Sequence, residues 1–408
     1  MEERDHKKLG PELELFYIDQ TVGKGLPMFL PKGATLKREL ERFVIEEELK
    51  RGYLHVHTPD LAKLELYEKS GHYPHYKDSM YAPIEIDDEK YMLRPMTCPH
   101  HFQLYLSKPH SYRELPMRIA ELAQLYRYEQ SGELMGLQRV RTFCLADAHI
   151  ICADEEQAAD EVSNALDLIE HMAGVFGLKL EADYRFRLSL GDRANTEKYY
   201  KNDAAWEKSE GLLREVMQKR GEKFEEAKDE AAFYGPKIDV QMKNVNGKED
   251  TAFTVQYDFC MPDRFNLTYV GEDGKDHRAF VVHRSSIGAI ERIMAFLIEK
   301  YAGAFPLWLS PVQARILPIA GTHKDFAQNV LSQFKQAGIR AELDESNETL
   351  GKKIREAKTQ KIPYMLVIGD QEVAYKTATL ESRDKGKIGT LSIDEIVSKL
   401  NEEIKARV

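Results

Sequence analysis

The sequence predicts two domains: an α+β domain on an antiparallel sheet over residues 1–310, then a smaller three-layer α/β domain over residues 311–408. Three observations carry that expectation. Phe305-Pro-Leu-Trp-Leu-Ser-Pro311 interrupts a helical pattern at 290–302 with two prolines. Strand-like stretches before this break follow one another with few helices between them. Those after it alternate with helices at short spacing, the pattern of a mostly parallel sheet.

Residues 35–51 place Leu36, Leu40, Phe43 and Val44 on one helical face, stop at Gly52, and lead into a strand at 53–58 that ends at Pro59. Strands are expected at 117–129 and 138–152. A second helix, 154–178, opens on Asp154-x-x-Gln157 and repeats Val162, Ala165, Leu166, Ile169, Met172, Ala173 and Phe176 at i, i+3, i+4 spacing. Strand-like stretches follow at 251–259, 265–270 and 278–284. Beyond residue 311 the expected strands are 314–319, 340–343, 363–368 and 377–382, and the expected helices are 324–337, 351–361 and 394–406.

Composition narrows the class. The 408 residues carry 58 Lys+Arg against 68 Asp+Glu, a net charge of −10. That acidity argues against a nucleic-acid partner until it is divided by region, because phosphate affinity rests on Lys and Arg. Residues 311–408 hold 16 basic and 14 acidic side chains, net +2, which leaves −12 for residues 1–310. Four cysteines, Cys98, Cys144, Cys152 and Cys260, contain no C-x-x-C pair and make no disulfide framework. The longest uncharged run, 301–314, is 14 residues and holds two prolines, short of a membrane span. The charged N-terminus has no apolar signal core, so a cytoplasmic protein with no membrane association is expected.

The most informative segment is 115–152. Ser131-Gly-Glu-Leu-Met-Gly136 reads as the loop of an antiparallel pair. Residues two apart on a strand share a face, so Arg139, Arg141, Phe143, Leu145, Asp147 and His149 line one side, with Arg127 and Glu129 on the partner strand. The other side, Val140, Thr142, Cys144, Ala146, Ala148 and Ile150, is apolar and small. The charged face is either a wet outer surface or a site for an anionic ligand. Guanidinium forks suit phosphate, Phe143 offers a stacking plane, and Asp147 with His149 suits a metal or an amine. Spacing alone does not choose. Cys98-Pro-His100-His101 also gathers a thiol and two imidazoles, a weak metal signal by itself. Ala232-Phe-Tyr234-Gly-Pro-Lys237 reads equally as a turn, and the stretch from Val282 to Arg292 as a helix start.

Taken in order, these segments carry a resemblance. The helix and strand ending at Pro59, then Tyr126-Arg127-Tyr128-Glu129 with Arg139 and Phe143 across a loop, then Gly288-Ala-Ile-Glu-Arg292, resemble the three signature motifs of class II aminoacyl-tRNA synthetases. Arg94-Pro-Met96-Thr-Cys98-Pro-His-His101, Asp147-Ala-His149, Ala232-Phe-Tyr234-Gly-Pro-Lys237 and Val282-His283-Arg284 are similar to internal signatures of the threonyl-tRNA synthetase family. The resemblance spans nearly the whole chain.

It implies ATP-dependent activation of threonine and transfer to tRNA-Thr by a homodimer, with Mg2+ accompanying ATP. It further implies a catalytic Zn2+ held by Cys98, His149 and His283, three ligands that leave a position open for substrate. Threonine would fill that position through its amine and hydroxyl, and valine, lacking the hydroxyl, would not. Met96, Asp147, Tyr234 and Gln256 match threonine-pocket positions. Arg127 matches the α-phosphate ligand, Glu129 the adenine-amino ligand and Arg139 the γ-phosphate ligand, with adenine between Phe143 and Arg292. Arg127 and Arg292 are thereby catalytic candidates, as are His72, matched to a histidine near the tRNA hydroxyl, and Lys237.

Residues 311–408 resemble the anticodon-binding domain shared by the threonine, proline, histidine and glycine enzymes. Asn347 and Glu372 match base-contacting positions, and the cations of 352–361, Lys353 and Arg355 among them, suit the RNA backbone. Glu381 departs from the arginine expected there. Bacterial members usually carry an N-terminal editing domain, whereas this sequence begins where the core would begin, so serine mischarging without clearance is expected. Two other readings are a prolyl-type synthetase, which lacks the zinc triad, and a non-catalytic tRNA-binding regulator on the same scaffold.

Overall fold

The computed structural model describes residues 2–407. Ile18–Pro27 and Glu41–Ala295 form one compact unit, and the rest of the chain forms a second.

The first unit is organised by an eight-stranded sheet. Its spatial order is Phe224–Lys228, Tyr184–Leu190, Lys237–Lys243, Glu249–Asp258, Phe280–Ala289, Thr142–Cys152, Met117–Tyr126 and Leu54–His55. The five inner pairings are antiparallel, and the pairing at each edge is parallel. The hairpin strands are shorter than the sequence suggests, so residues 127–141 form a longer loop between Tyr126 and Thr142. The expected strand at 53–58 contracts to Leu54–His55, after a helix that begins at Pro31 rather than Thr35. Proline suits a first helical position, where its missing N–H costs nothing. The stretch 265–270 divides into the Met261–Phe265 helix and the Thr268–Val270 strand, which pairs with Asp276–Arg278 outside the main sheet.

The Glu155–Val175 helix packs on the Glu249–Asp258 and Phe280–Ala289 strands. Its start follows the sequence signal, since the Asp154 carboxylate accepts from the Gln157 backbone N–H at 2.8 Å and the Gln157 side chain accepts from the Ala153 N–H at 2.8 Å. Its apolar stripe, Val162, Ala165, Leu166, Ile169, Met172 and Ala173, is fully buried. On the Thr142–Cys152 strand Ala146, Ala148, Ile150 and Cys152 are buried too, and alternation leaves Phe143, Leu145, Asp147 and His149 on the opposite side.

In the second unit a five-stranded sheet runs Ala341–Leu343, Ala314–Pro318, Tyr364–Ile368, Thr377–Ser382, Gly386–Ser392. Only half of its pairings are parallel. The first two are, while Tyr364–Ile368 with Thr377–Ser382, and Thr377–Ser382 with Gly386–Ser392, are antiparallel. The mostly parallel expectation overlooks the Gly386–Ser392 strand, whose two glycines among seven residues weaken its strand signal. Lys324–Gln336, Leu350–Thr359, the short Asp370–Tyr375 and Ile393–Ala406 are the helices around this sheet, with Val330, Phe334, Ile396 and Leu400 in the core beside Ile316 and Leu366. Among the described residues no helix is long and apolar enough to cross a membrane.

Candidate functional site

Strand register assembles the site. Lys237 lies opposite Gln256, Gln256 opposite His283, His283 opposite His149, and His149 opposite Ile119, a single row across five strands. Directly opposed residues share a face with Cβ atoms about 5 Å apart, so residues far apart in sequence become neighbours. One row away, Ser285 opposes Asp147 and Asp147 opposes Glu121. A cavity of about 580 Å³ opens over these rows.

At one end of the cavity, Cys98 Sγ and one ring nitrogen each of His149 and His283 lie within 4.8 Å of one another, all buried. That spread fits three corners of a tetrahedron with bonds of about 2.0–2.3 Å. The remaining ring nitrogens are engaged. His149 Nδ1 meets His101 Nδ1 at 2.8 Å, and His283 Nε2 meets Asp258 Oδ2 at 2.7 Å. Nε2 of His149 and Nδ1 of His283 are therefore the nitrogens left for a metal, an arrangement in which outer hydrogen bonds orient the inner ligands. Burial pushes the Cys98 thiol up, and the Asp147 and Asp258 carboxylates push it further. Burial likewise pushes the His149 imidazole down and the Asp147 carboxyl up. A bound divalent cation would reverse this local logic. Thiol, two imidazoles and their supports thus fit a zinc-type ion.

The cavity wall continues with Met96, Tyr234 and Gln256. Tyr234 donates its hydroxyl to Gln256 Oε1 at 2.5 Å and stacks on the His283 ring at 5.0 Å between centroids. Its loop needs a glycine next: a Cβ on Gly235 would lie 1.9 Å from the Tyr257 carbonyl oxygen. Lys237 is held by Asp239 Oδ2 at 2.9 Å. His72 sits fully buried, with Nδ1 2.7 Å from Ser70 Oγ and Nε2 3.7 Å from Cys98 Sγ. Burial first, and the nearby His283 second, hold it well below the usual histidine range.

The other end of the cavity is cationic. Arg127 donates through Nε to the Pro95 carbonyl at 3.2 Å and lies 5.1 Å from the centre of the Phe143 ring. Arg139 pairs with Glu129 at 2.8 Å. Arg292 donates to the Gln138 and Thr251 carbonyls at 2.9 and 2.5 Å. Gly288, with φ +69°, lets its backbone pass close to the neighbouring strand, since a Cβ there would meet the Ala252 carbonyl oxygen at 2.0 Å. Every expected pocket residue therefore lines one cavity. Arg141 does not join them: it turns to the Glu129 and Lys24 carbonyls and lies 5.5 Å from the Tyr128 ring. The chain there is loop rather than strand, so alternation does not govern it.

The tail candidates are not brought into a comparable cluster. Asn347 and Arg355 are exposed. Glu372 is used internally, accepting from the Gly369 N–H at 3.0 Å and the Thr379 hydroxyl at 2.8 Å. Lys353 is only 3% exposed, with Nζ donating to the Pro318 and Asp344 carbonyls at 3.1 and 3.3 Å, so its cation is not offered to a ligand. Glu381 pairs with Lys358 at 2.9 Å.

Two residues at the site escape sequence reasoning, Glu121 and Asp258. Each left a signal: Glu121 is a lone acid within the apolar Met117–Tyr126 strand, and Asp258 shares a strand face with Gln256 two residues before it.

Comparison with known proteins gives the family and the fold. Residues 81–301 match the class II tRNA synthetase core domain (G, H, P, S and T), and residues 313–403 match the anticodon binding domain. The chain is 51% identical over 404 residues to a threonine–tRNA ligase of Geobacillus sp. (strain WCH70) and 50% identical over 404 residues to threonine–tRNA ligase 1 of Bacillus subtilis (strain 168). Each alignment covers 99% of this chain and 62% of the relative, so the chain spans less than two thirds of those proteins. A crystal structure described as the RNA binding domain of threonyl-tRNA synthetase from Cryptosporidium parvum Iowa II superposes with a TM-score of 0.92 at 34% identity, covering 98% of both chains. A shared core, a shared tail and likeness along almost the entire chain leave one assignment: the chain belongs to the threonyl-tRNA synthetase family of class II enzymes.

Proposed function

We propose that the chain activates threonine with ATP and transfers it to tRNA-Thr, residues 1–310 carrying catalysis and residues 311–408 reading the anticodon. The observation that carries this reading is the single cavity in which a Cys98–His149–His283 cluster faces Arg127, Arg139 and Arg292. Cys98 Sγ, His149 Nε2 and His283 Nδ1 would hold zinc. When bound, the ion would supply a Lewis acid that an amine and a hydroxyl can both coordinate and a methyl group in place of the hydroxyl cannot.

The remaining roles belong to the chain's own residues. Asp147, on the His149 strand face, accepts the substrate hydroxyl, and Met96, Tyr234 and Gln256 shape the pocket around the side chain. Phe143 and Arg292 hold adenine between them, and Glu129 reads its amino group. Attack of the amino-acid carboxylate on the α-phosphorus forms the mixed anhydride as the bond to the β-phosphate breaks and pyrophosphate leaves, and it builds negative charge on phosphate oxygens. Arg127 at the α-phosphate and Arg139 at the γ-phosphate, with Mg2+ accompanying ATP, stabilise it, and their fixed partners mean little reorganisation is needed. Lys237, anchored by Asp239, adds a cation nearby. His72 lies beside Cys98, on the side where in the second step the tRNA hydroxyl would attack the adenylate carbonyl and expel AMP. The protein acts as a homodimer through the Pro31–Lys50 helix and the Leu54–His55 strand, where Leu49 and Leu54 are more than half exposed. Light scattering should read twice 47.0 kDa.

Amino-acid-dependent exchange between ATP and pyrophosphate tests the activity. Exchange with threonine supports this reading. Exchange with proline instead supports the prolyl-type relative, and none with any amino acid supports a tRNA-binding regulator.

A further inference from the structure

We propose that Glu121 and His101 are positioning residues for the metal centre, forming a buried Glu121–His101–His149 relay that keeps the proton of His149 on Nδ1 and leaves Nε2 a bare lone pair. The inference rests on the metal reading above and extends it to residues that touch neither the metal nor the substrate.

Donor and acceptor bookkeeping carries it. Glu121 Oε2 lies 3.2 Å from His101 Nε2, and His101 Nδ1 lies 2.8 Å from His149 Nδ1. All three residues are at most 1% exposed, so bulk water does not supply missing partners. The Glu121 carboxylate also accepts from the Thr58 N–H at 3.0 Å, the Thr58 hydroxyl at 2.7 Å and Arg94 Nη1 at 3.1 Å. Surrounded by donors, it can only accept, so the shared proton sits on His101 Nε2. On a His101 ring carrying that single proton, Nδ1 is then a lone pair. Two facing Nδ1 atoms need one proton between them, and it must come from His149. A ring with its proton on Nδ1 presents an unprotonated Nε2, which is what a metal ligand requires.

The second histidine ligand shows the same device in shorter form. Asp258 Oδ2 faces His283 Nε2 directly at 2.7 Å, while Asp258 Oδ1 is fixed by the Cys260 and Met261 N–H groups at 2.8 and 2.9 Å. The difference follows from register. Ile119 occupies the position opposite His149, and the nearest acid on that strand, Glu121, lies opposite Asp147 instead. An imidazole from another element bridges the gap. Cys98 and His101 stand at i and i+3 on the Cys98–Tyr105 helix, so one helical turn delivers both a ligand and its neighbour's support.

The test compares His101→Leu, which removes the relay acceptor, with His101→Gln, whose carbonyl can accept from His149 and whose amide can donate to Glu121. Zinc affinity is measured by chelator competition, with the absorption spectrum of the Co2+-substituted protein as a readout of ligand geometry. His101→Leu should bind zinc about 10–100-fold more weakly and change the Co2+ spectrum, while His101→Gln should stay within about threefold of the parent. Unchanged affinity in a folded His101→Leu protein overturns the relay, as does equal loss in both variants with an unaltered spectrum. A measurement on the wild-type protein, with one relay variant used only for assignment, stands beside it. Long-range 15N–1H spectra of metal-free wild-type protein labelled at histidine should show His149, assigned by its absence in His149→Ala, as the Nδ1–H tautomer; the Nε2–H tautomer overturns the relay. Wild-type protein that binds no zinc yet shows the Nδ1–H tautomer overturns the metal reading and leaves the relay's hydrogen bonding standing.

Discussion

The cavity on the eight-stranded sheet and the tail sheet both present residues that the family resemblance marks for ligand contact, and the two regions use their charges in opposite ways. In the cavity Arg127 and Arg292 are tied to backbone carbonyls, and Arg139 to Glu129, with all three still lining open space. In the tail Lys353 and Glu372 are spent on the chain itself, one inside the fold and one capping a helix. Small rigid substrates need charges fixed before they arrive, because misplacement by about 1 Å can cost on the order of 100-fold in rate. An extended, charged RNA can be held by side chains left mobile at the surface. A cation buried and bonded to the chain's own carbonyls and a cation lining open space are therefore different objects, even when one motif names both.

Three substitutions sharpen that contrast, taken from the largest effect to the smallest. Arg127→Ala should lower the threonine-dependent exchange rate by about 10²–10³-fold while zinc content stays at the parent level, because it removes preorganised positive charge at the α-phosphate. Loss of zinc in that variant would mean the two ends of the cavity are one structural unit. In the tail, Lys353→Ala should act on the fold, removing the donor to the buried Pro318 carbonyl at about 1–3 kcal/mol, with a smaller loss at the part-buried Asp344 carbonyl, and lowering the melting temperature. Arg355→Ala should do the reverse. Its melting temperature should hold, while tRNA affinity weakens modestly and the logarithmic salt dependence of binding falls by about one. If Lys353→Ala instead weakened tRNA binding with no change in stability, its buried position would not describe the protein in solution.

The smallest effect lies away from both regions. Burial first, and the Glu222 carboxylate second, raise the Glu170 carboxyl to about 7, against the pull of Arg220. In the unfolded chain the same group titrates near 4.5, so the folded state binds its proton more tightly. Stability from this group is therefore present below pH 4.5 and is lost as pH rises through about 7. Glu222→Gln should raise the melting temperature by about 1–3 °C at pH 8 and leave it unchanged at pH 4.5. A rise of equal size at both pH values would assign the effect to something other than the carboxylate pair.

Much of this was legible wherever one element contains the whole signal. The Glu155–Val175 helix follows its apolar stripe and its Asp154 cap, and Phe143, Asp147 and His149 share a face because one strand alternates them. The meeting of His149 with His283 was not, because it depends on which strands pair and in what register, and no local pattern encodes a partner 134 positions away. Family resemblance supplied that pair; the sheet supplies the reason. Tyr184–Leu190 was overlooked although Arg185 and Arg187 alternate with Tyr184, Phe186 and Leu188. The burial of Lys353 could not be read from a helix whose cations point in several directions, since only the packing of Ala357 and Ile354 against the sheet decides which side turns inward.

Selectivity of exchange in the presence and absence of zinc tests the central claim most directly. With zinc bound, threonine should support exchange, serine should support it measurably because it also carries an amine and a hydroxyl, and valine should not. Removing zinc by chelation should abolish exchange with threonine, and adding zinc back should restore it. Valine-dependent exchange matching that of threonine, or full threonine activity in verified zinc-free protein, would contradict the assignment of Cys98, His149 and His283.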